Sequence, residues 1–154
     1  RRSSDLAAHW WLHEENLIVG VPVIPPPPNI RIFTDASMEG WGAHCASNTF
    51  QGLWSVEEKS LHINVLEMRA THLALNLVHT LPGDHVMISS DNTTVAAYIN
   101  HQGGTKSLSL WKETMPLFLL AEKRQILLSA VHIPGHLNVI ADQLSRKGQI
   151  LLTE

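Results

Sequence analysis

Apolar and polar positions along this chain fall into short blocks, and from residue 29 onward those blocks become regular. "IRIFTD" (30–35), "GWGAHCA" (40–46) and "FQGLWS" (50–55) are apolar runs bounded by glycines and polar turns. They predict three strands in an antiparallel meander. "HINVLEMRATHLALNLVHTL" changes the period: Val65, Leu66, Met68, Leu73, Leu75, Leu77 and Val78 recur at helical spacing. That predicts a long helix, stopped by Pro82 and Gly83. "HVMISSD" then predicts a fourth strand, and "NTTVAAYINH" a short helix ended by Gly103 and Gly104. "SLSLWKETMPLFLLAEKR" predicts a helix bent at Pro116, "QILLSAVHI" a fifth strand and "NVIADQLSRKG" a last helix. The order βββαβααβα predicts an α/β fold with a five-stranded mixed sheet: three antiparallel strands, then two parallel additions, flanked by helices.

The first 28 residues follow another pattern. "DLAAHWWLHEENL" has an N-cap candidate in Asp5 and helical spacing, whereas "VPVIPPPP" forbids helix and predicts an extended connector. Residues 1–28 are therefore expected to be an N-terminal extension, 29–148 the domain proper and 149–154 a tail. Trp10 and Trp11 of the extension need a surface to cover them, either on the domain or on a neighbouring one. The opening "RRSSDL", without methionine, predicts a piece of a longer protein.

Composition adds bounds. Hydrophobic residues make up 44% and charged residues 16%, a globular balance that excludes a disordered chain. No apolar run approaches the roughly 20 residues a bilayer requires, which excludes a spanning helix. The lone cysteine, Cys45, excludes an internal disulfide and fits an intracellular setting, cytoplasmic or nuclear. The net charge of −3 argues against nucleic-acid binding unless the acids hold cations, which would invert the local field.

The placement of the acids makes that exception the better reading. Asp35 ends the first apolar strand and Asp91 ends the fourth, just before a helix. In open α/β sheets, ligand sites form outside the carboxyl ends of strands. If strands one and four are parallel neighbours, the two carboxylates stand side by side. Glu67 interrupts the apolar first turns of the long helix, where Asn64 and Arg69 mark a polar, functional face. Asp142 lies on the last helix. Singly, Asp91 could be a helix N-cap, Asp35 a turn cap, and Glu67 and Asp142 solvated surface acids. Together they repel unless protonated or metal-bound, and oxygen donors of this kind suit Mg²⁺ or Mn²⁺.

"IFTDAS…GWGA", "HINVLEMRA", "SSDNTTVAAYINHQGGTKS" and "HIPGHLNVIADQLSR" resemble the ribonuclease H domain of retroelement reverse transcriptases, most of all those of DIRS-like (tyrosine-recombinase) retrotransposons. The resemblance implies a ribonuclease H-like fold. It also implies an Asp–Glu–Asp–Asp tetrad at Asp35, Glu67, Asp91 and Asp142. The implied cofactor is Mg²⁺, two ions about 4 Å apart, with Mn²⁺ able to substitute. The implied substrate is the RNA strand of an RNA·DNA hybrid, cut to leave 5′-phosphates. The implied partner is the polymerase domain of the same polyprotein. His136, on the loop before the last acid, would assist proton transfer or product release, while His132 is structural. Ser37, Asn64, Asn92, Thr93, Thr105 and Lys106 fall where the family contacts its hybrid. The basic extra helix of cellular bacterial enzymes is missing, and Gly40 stands where some relatives use a phosphate-binding arginine. Phosphate contacts supply most nucleic-acid affinity, so the domain is expected to lean on its polymerase partner or on the N-terminal extension. Integrases of similar fold place the glutamate last, and metal-dependent exonucleases group their acids differently. A catalytically silent binding or scaffold module is the remaining alternative.

Overall fold

The computed structural model describes residues 24–101 and 107–146. The predicted N-terminal helix, Gly103, Gly104, Thr105, Lys106 and the tail lie outside the described residues.

Strands β1 (Ile30–Ala36), β2 (Gly40–Cys45) and β3 (Asn48–Leu53) form the expected meander. β4 (His85–Ser90) and β5 (Leu127–His132) add on the other side of β1, giving the order β3-β2-β1-β4-β5. The β1–β2 and β2–β3 ladders are antiparallel, while β1–β4 and β4–β5 are parallel. Parallel neighbours need long crossovers, and helices provide them. These are α1 (Ile63–Leu77) between β3 and β4, then α2 (Thr93–Asn100) and α3 (Leu108–Arg124) between β4 and β5. Helix α4 (Val139–Ser145) follows β5. None of the described helices is long and apolar enough to cross a membrane.

Side chains alternate across a strand, so each strand serves both faces. Ile32 of β1, Ala43 of β2, Ile88 of β4 and Leu128 of β5 are fully buried and meet Leu66, Met68 and Leu75 of α1, Ile99 of α2 and Leu117 of α3 in one core. Helix α4 lies on the opposite face. Gly42, one residue before buried Ala43, faces it so closely that an added Cβ would sit 2.4 Å from Leu144 Cβ and 2.6 Å from the Ala141 carbonyl. The missing side chain is what lets α4 settle on the sheet. At the outer strand β5, Asn100 of α2 accepts from the Ala130 amide at 2.8 Å and donates to its carbonyl at 2.7 Å, closing part of an otherwise open edge.

Three local expectations are corrected. Helix α1 ends at Leu77, not at Pro82–Gly83, because Arg124 from α3 donates to the carbonyls of Leu75, Asn76 and Val78 and satisfies that helix end. Helix α2 ends at Asn100, with His101 as its C-cap, before the two glycines are reached. Arg69 does not mark a functional face: it forms a two-pronged pair with Glu113 of α3 (2.8 and 2.9 Å) and reaches Glu58 at 3.0 Å. It serves helix packing. Helix α3 runs unbroken through Pro116.

A candidate carboxylate metal centre

Phe33 of β1 lies level with Ser89 of β4 in a parallel ladder. Carrying that register two residues onward sets Asp35 beside Asp91, as the strand pattern predicts. Helix α1 crosses β1 and brings Glu67, in its second turn, to the same strand ends. One oxygen from each of Asp35, Glu67 and Asp91 lies within 4.8 Å of the other two. Among the described residues, none of the three has a cationic partner.

Asp91 is free for this role because the cap of α2 is the next residue. Asn92 Oδ1 accepts from the Val95 amide at 3.0 Å. Asn92 Nδ2 donates to Asn64 Oδ1 at 2.9 Å, linking the starts of α1 and α2 beside the cluster. Two side chains expected to touch substrate are thus bonded to each other. Thr93 is exposed next to them. Ser37 Oγ lies 2.8 Å from the Ser145 carbonyl and accepts from the amides of Glu39 and Gly40, so its hydroxyl is engaged in the β1–β2 turn and in docking α4.

The electrostatics show the cost of the arrangement. Asp35 is 4% exposed and Glu67 5%. Burial first, then the charges of Asp35 and Asp91, push Glu67 up to about 9, against a weaker pull from the Ala36 amide. Burial and then the Asp91 charge push Asp35 up to about 7, opposed by the hydroxyl of Ser145. Glu67 Oε2 is buried with no hydrogen-bond partner. A buried anionic oxygen without a donor costs several kcal/mol, and a divalent cation is the partner that would remove both the repulsion and the vacancy in its bonding. The donors are all carboxylate oxygens, as hard cations such as Mg²⁺ and Mn²⁺ require. The residues present fit such an ion.

Asp142 stands just outside this trio. It is near enough to raise Asp35 further, while Arg146 Nε donates to its Oδ1 at 3.2 Å on the exposed side. His136 is exposed in the turn before α4, and His132 is exposed at the end of β5. A Cβ on Gly135, the residue preceding His136, would lie 3.4 Å from Asp91 Oδ2, so this turn closes against the cluster.

Two residues that sequence reasoning missed hold the site together. Asn138, 1% exposed, donates from Nδ2 to the Thr34 carbonyl at 2.8 Å and so pins the start of α4 next to Asp35. Ser145, fully buried, has its hydroxyl 3.0 Å from Asp35 Oδ2. The only sequence signal for either is a small polar residue flanking the apolar turn "VIADQL".

No family model matches the sequence, and no curated protein matches it. Solved structures do. LC11-RNase H1, solved in complex with an RNA/DNA hybrid, is 22% identical with a TM-score of 0.61, the match covering 77% of this chain and 95% of that one. RNase H1 of the halophilic archaeon Halobacterium salinarum is 16% identical with a TM-score of 0.62 over the same shares. The foamy viral protease-reverse transcriptase, also with an RNA/DNA hybrid, is 19% identical with a TM-score of 0.50. That match covers 83% of this chain and 20% of the viral one. The chain has the ribonuclease H-like fold.

Proposed function

We propose that this protein is an endoribonuclease that hydrolyses the RNA strand of RNA·DNA hybrids. One observation carries the reading: three carboxylates from three elements converge at the strand ends of a ribonuclease H-like fold, with a buried oxygen of Glu67 lacking any donor. Asp35, Glu67 and Asp91 would hold the divalent cations, with Asp142 joining from α4. The proposed ions are two Mg²⁺, with Mn²⁺ able to substitute. Bound there, they supply an activated water and charge stabilisation for the departing 3′ oxygen.

The chain's own groups supply orientation. The Ala36 amide favours the ionised form of Glu67, and Asn138 anchors the helix that carries Asp142. The Gly135 turn approaches Asp91 and presents His136 to solvent, where it is the proposed proton carrier for the leaving group. Ser37, Asn64, Asn92 and Thr93, each within three residues of a cluster acid in the chain, are the proposed hybrid contacts; Thr105 and Lys106 belong to the same proposal. With the Asn64–Asn92 bond in place, the Asn64 amide group and the second N–H of Asn92 remain to meet a base edge or a 2′-hydroxyl.

The parent protein is proposed to be a retroelement reverse transcriptase of the DIRS-like kind, its polymerase domain the partner that grips the hybrid. The sequence motifs support this, and the fold shared with the foamy viral enzyme is consistent with it. The test is strand-selective cleavage. With Mg²⁺ or Mn²⁺, a doubly labelled hybrid should lose its RNA strand alone, leaving 5′-phosphate ends, while duplex DNA stays intact. Binding of the hybrid without cleavage, in both the domain and a chain extended by the polymerase region, would favour a silent binding module.

A further inference from the structure

Ser145 occupies a position whose chemistry packing alone does not explain. Its hydroxyl lies 3.0 Å from Asp35 Oδ2 and 2.8 Å from the backbone carbonyl of Asp142, the residue carrying the fourth acid. A hydroxyl has one proton, so it can serve one of these acceptors at a time. The backbone carbonyl of Ser145 in turn accepts from Ser37 Oγ at 2.8 Å, in the turn that follows Asp35. One fully buried residue thus binds the carboxylate on β1, the β1–β2 turn and the helix bearing Asp142. The helix can come this close because of glycine: a Cβ on Gly42 would lie 2.6 Å from the Ser145 amide.

A serine on a helix ordinarily spends its proton on a carbonyl three or four residues back, with no outside partner. Here a carboxylate of the proposed metal centre competes for it. We infer that Ser145 is a positioning residue of that centre, orienting Asp35 and tying it to the Asp142 helix so that both acids face the same cation. The inference rests on the metal reading of the carboxylate cluster. A packing role predicts something different: a small side chain, with or without a hydroxyl, would do equally well.

Ser145→Ala separates the two, since alanine keeps the close approach of α4 and removes only the donor. Mn²⁺ affinity of the full chain is read by electron paramagnetic resonance of the free ion, and metal-free melting is read in a chelator. The positioning role predicts that Mn²⁺ affinity falls about tenfold, the low end of what groups behind metal ligands contribute, with metal-free melting nearly unchanged. Unchanged affinity in a folded Ser145→Ala protein would overturn the role. If alanine fails to fold, Ser145→Cys keeps the volume with a much weaker donor, and wild-type affinity in that variant would overturn it equally. Wild-type protein that binds no Mn²⁺ would refute the metal reading, and this inference with it.

Discussion

Replacing Glu67 by glutamine should strengthen the metal-free protein in mild alkali, and by a predictable amount. In the native state Glu67 is pushed from its ordinary 4.5 up to about 9, by burial first and by Asp35 and Asp91 second. An acid whose folded pKa lies above its unfolded one holds its proton more tightly in the native state. The fold is therefore strongest in acid, and loses stability as pH climbs from the ordinary carboxylate range toward the raised value. Between pH 5 and pH 8 the unfolded chain has released this proton and the native protein keeps it. Each pH unit then costs about 1.36 kcal/mol, so the loss is on the order of 4 kcal/mol. At this chain length that corresponds to a fall in melting temperature of about 10 °C. Asp35, pushed up to about 7, adds its own loss over the lower part of the same range.

Glutamine carries no proton to release. Its carbonyl can still accept from the Ala36 amide, and its amide can donate to the carboxylates of Asp35 and Asp91. The assay is thermal or urea unfolding in a chelator at pH 5, 6, 7 and 8. Wild type should lose stability steeply with pH, while Glu67→Gln keeps only the shallower slope due to Asp35 and exceeds wild type at pH 8. Parallel curves for the two proteins would refute the reasoning.

Two further substitutions separate site from scaffold. Gly42→Ala places a Cβ 2.4 Å from Leu144 Cβ and 2.6 Å from a backbone oxygen of α4, so the helix must move. Overpacking of this kind costs about 1–3 kcal/mol, and because Asp142 rides on α4 we expect hybrid cleavage to fall at least about tenfold; unaltered cleavage would mean that the position of α4 is not critical. Arg69→Met removes the pairs with Glu113 and Glu58 and should destabilise by about 1–3 kcal/mol, seen in urea unfolding. Its cleavage rate at saturating Mg²⁺ should stay within about twofold of wild type, and a collapse in rate would return Arg69 to the active face.

What the sequence disclosed and what it hid have a common physical cause. Asp35 and Asp91 were legible because each ends an apolar run that could only be a buried strand, and Glu67 because it breaks an apolar helical turn. These are one-dimensional signals. Ser145, Asn138 and Gly42 carried no such signal, because their roles arise only where α4 meets β1 and β2. Arg69 was misread for the same reason: its partners, Glu58 and Glu113, lie on elements that only the fold brings near. The end of α1 was misplaced because a side chain from α3, Arg124, caps it in place of the glycine and proline downstream. Local chemistry was readable; tertiary substitution for it was not.

The most direct measurement is cleavage of an end-labelled RNA·DNA hybrid in Mg²⁺ by wild type and by Asp91→Asn, both confirmed folded. Asparagine at that position keeps the shape and removes one of the three converging charges. The account predicts that wild type degrades the RNA strand alone and that Asp91→Asn loses about a hundred- to a thousandfold in rate, the size of effect that removing one electrostatic contact to a transition state has. Equal cleavage by the two proteins would contradict it, because the activity would then lie outside the carboxylate cluster.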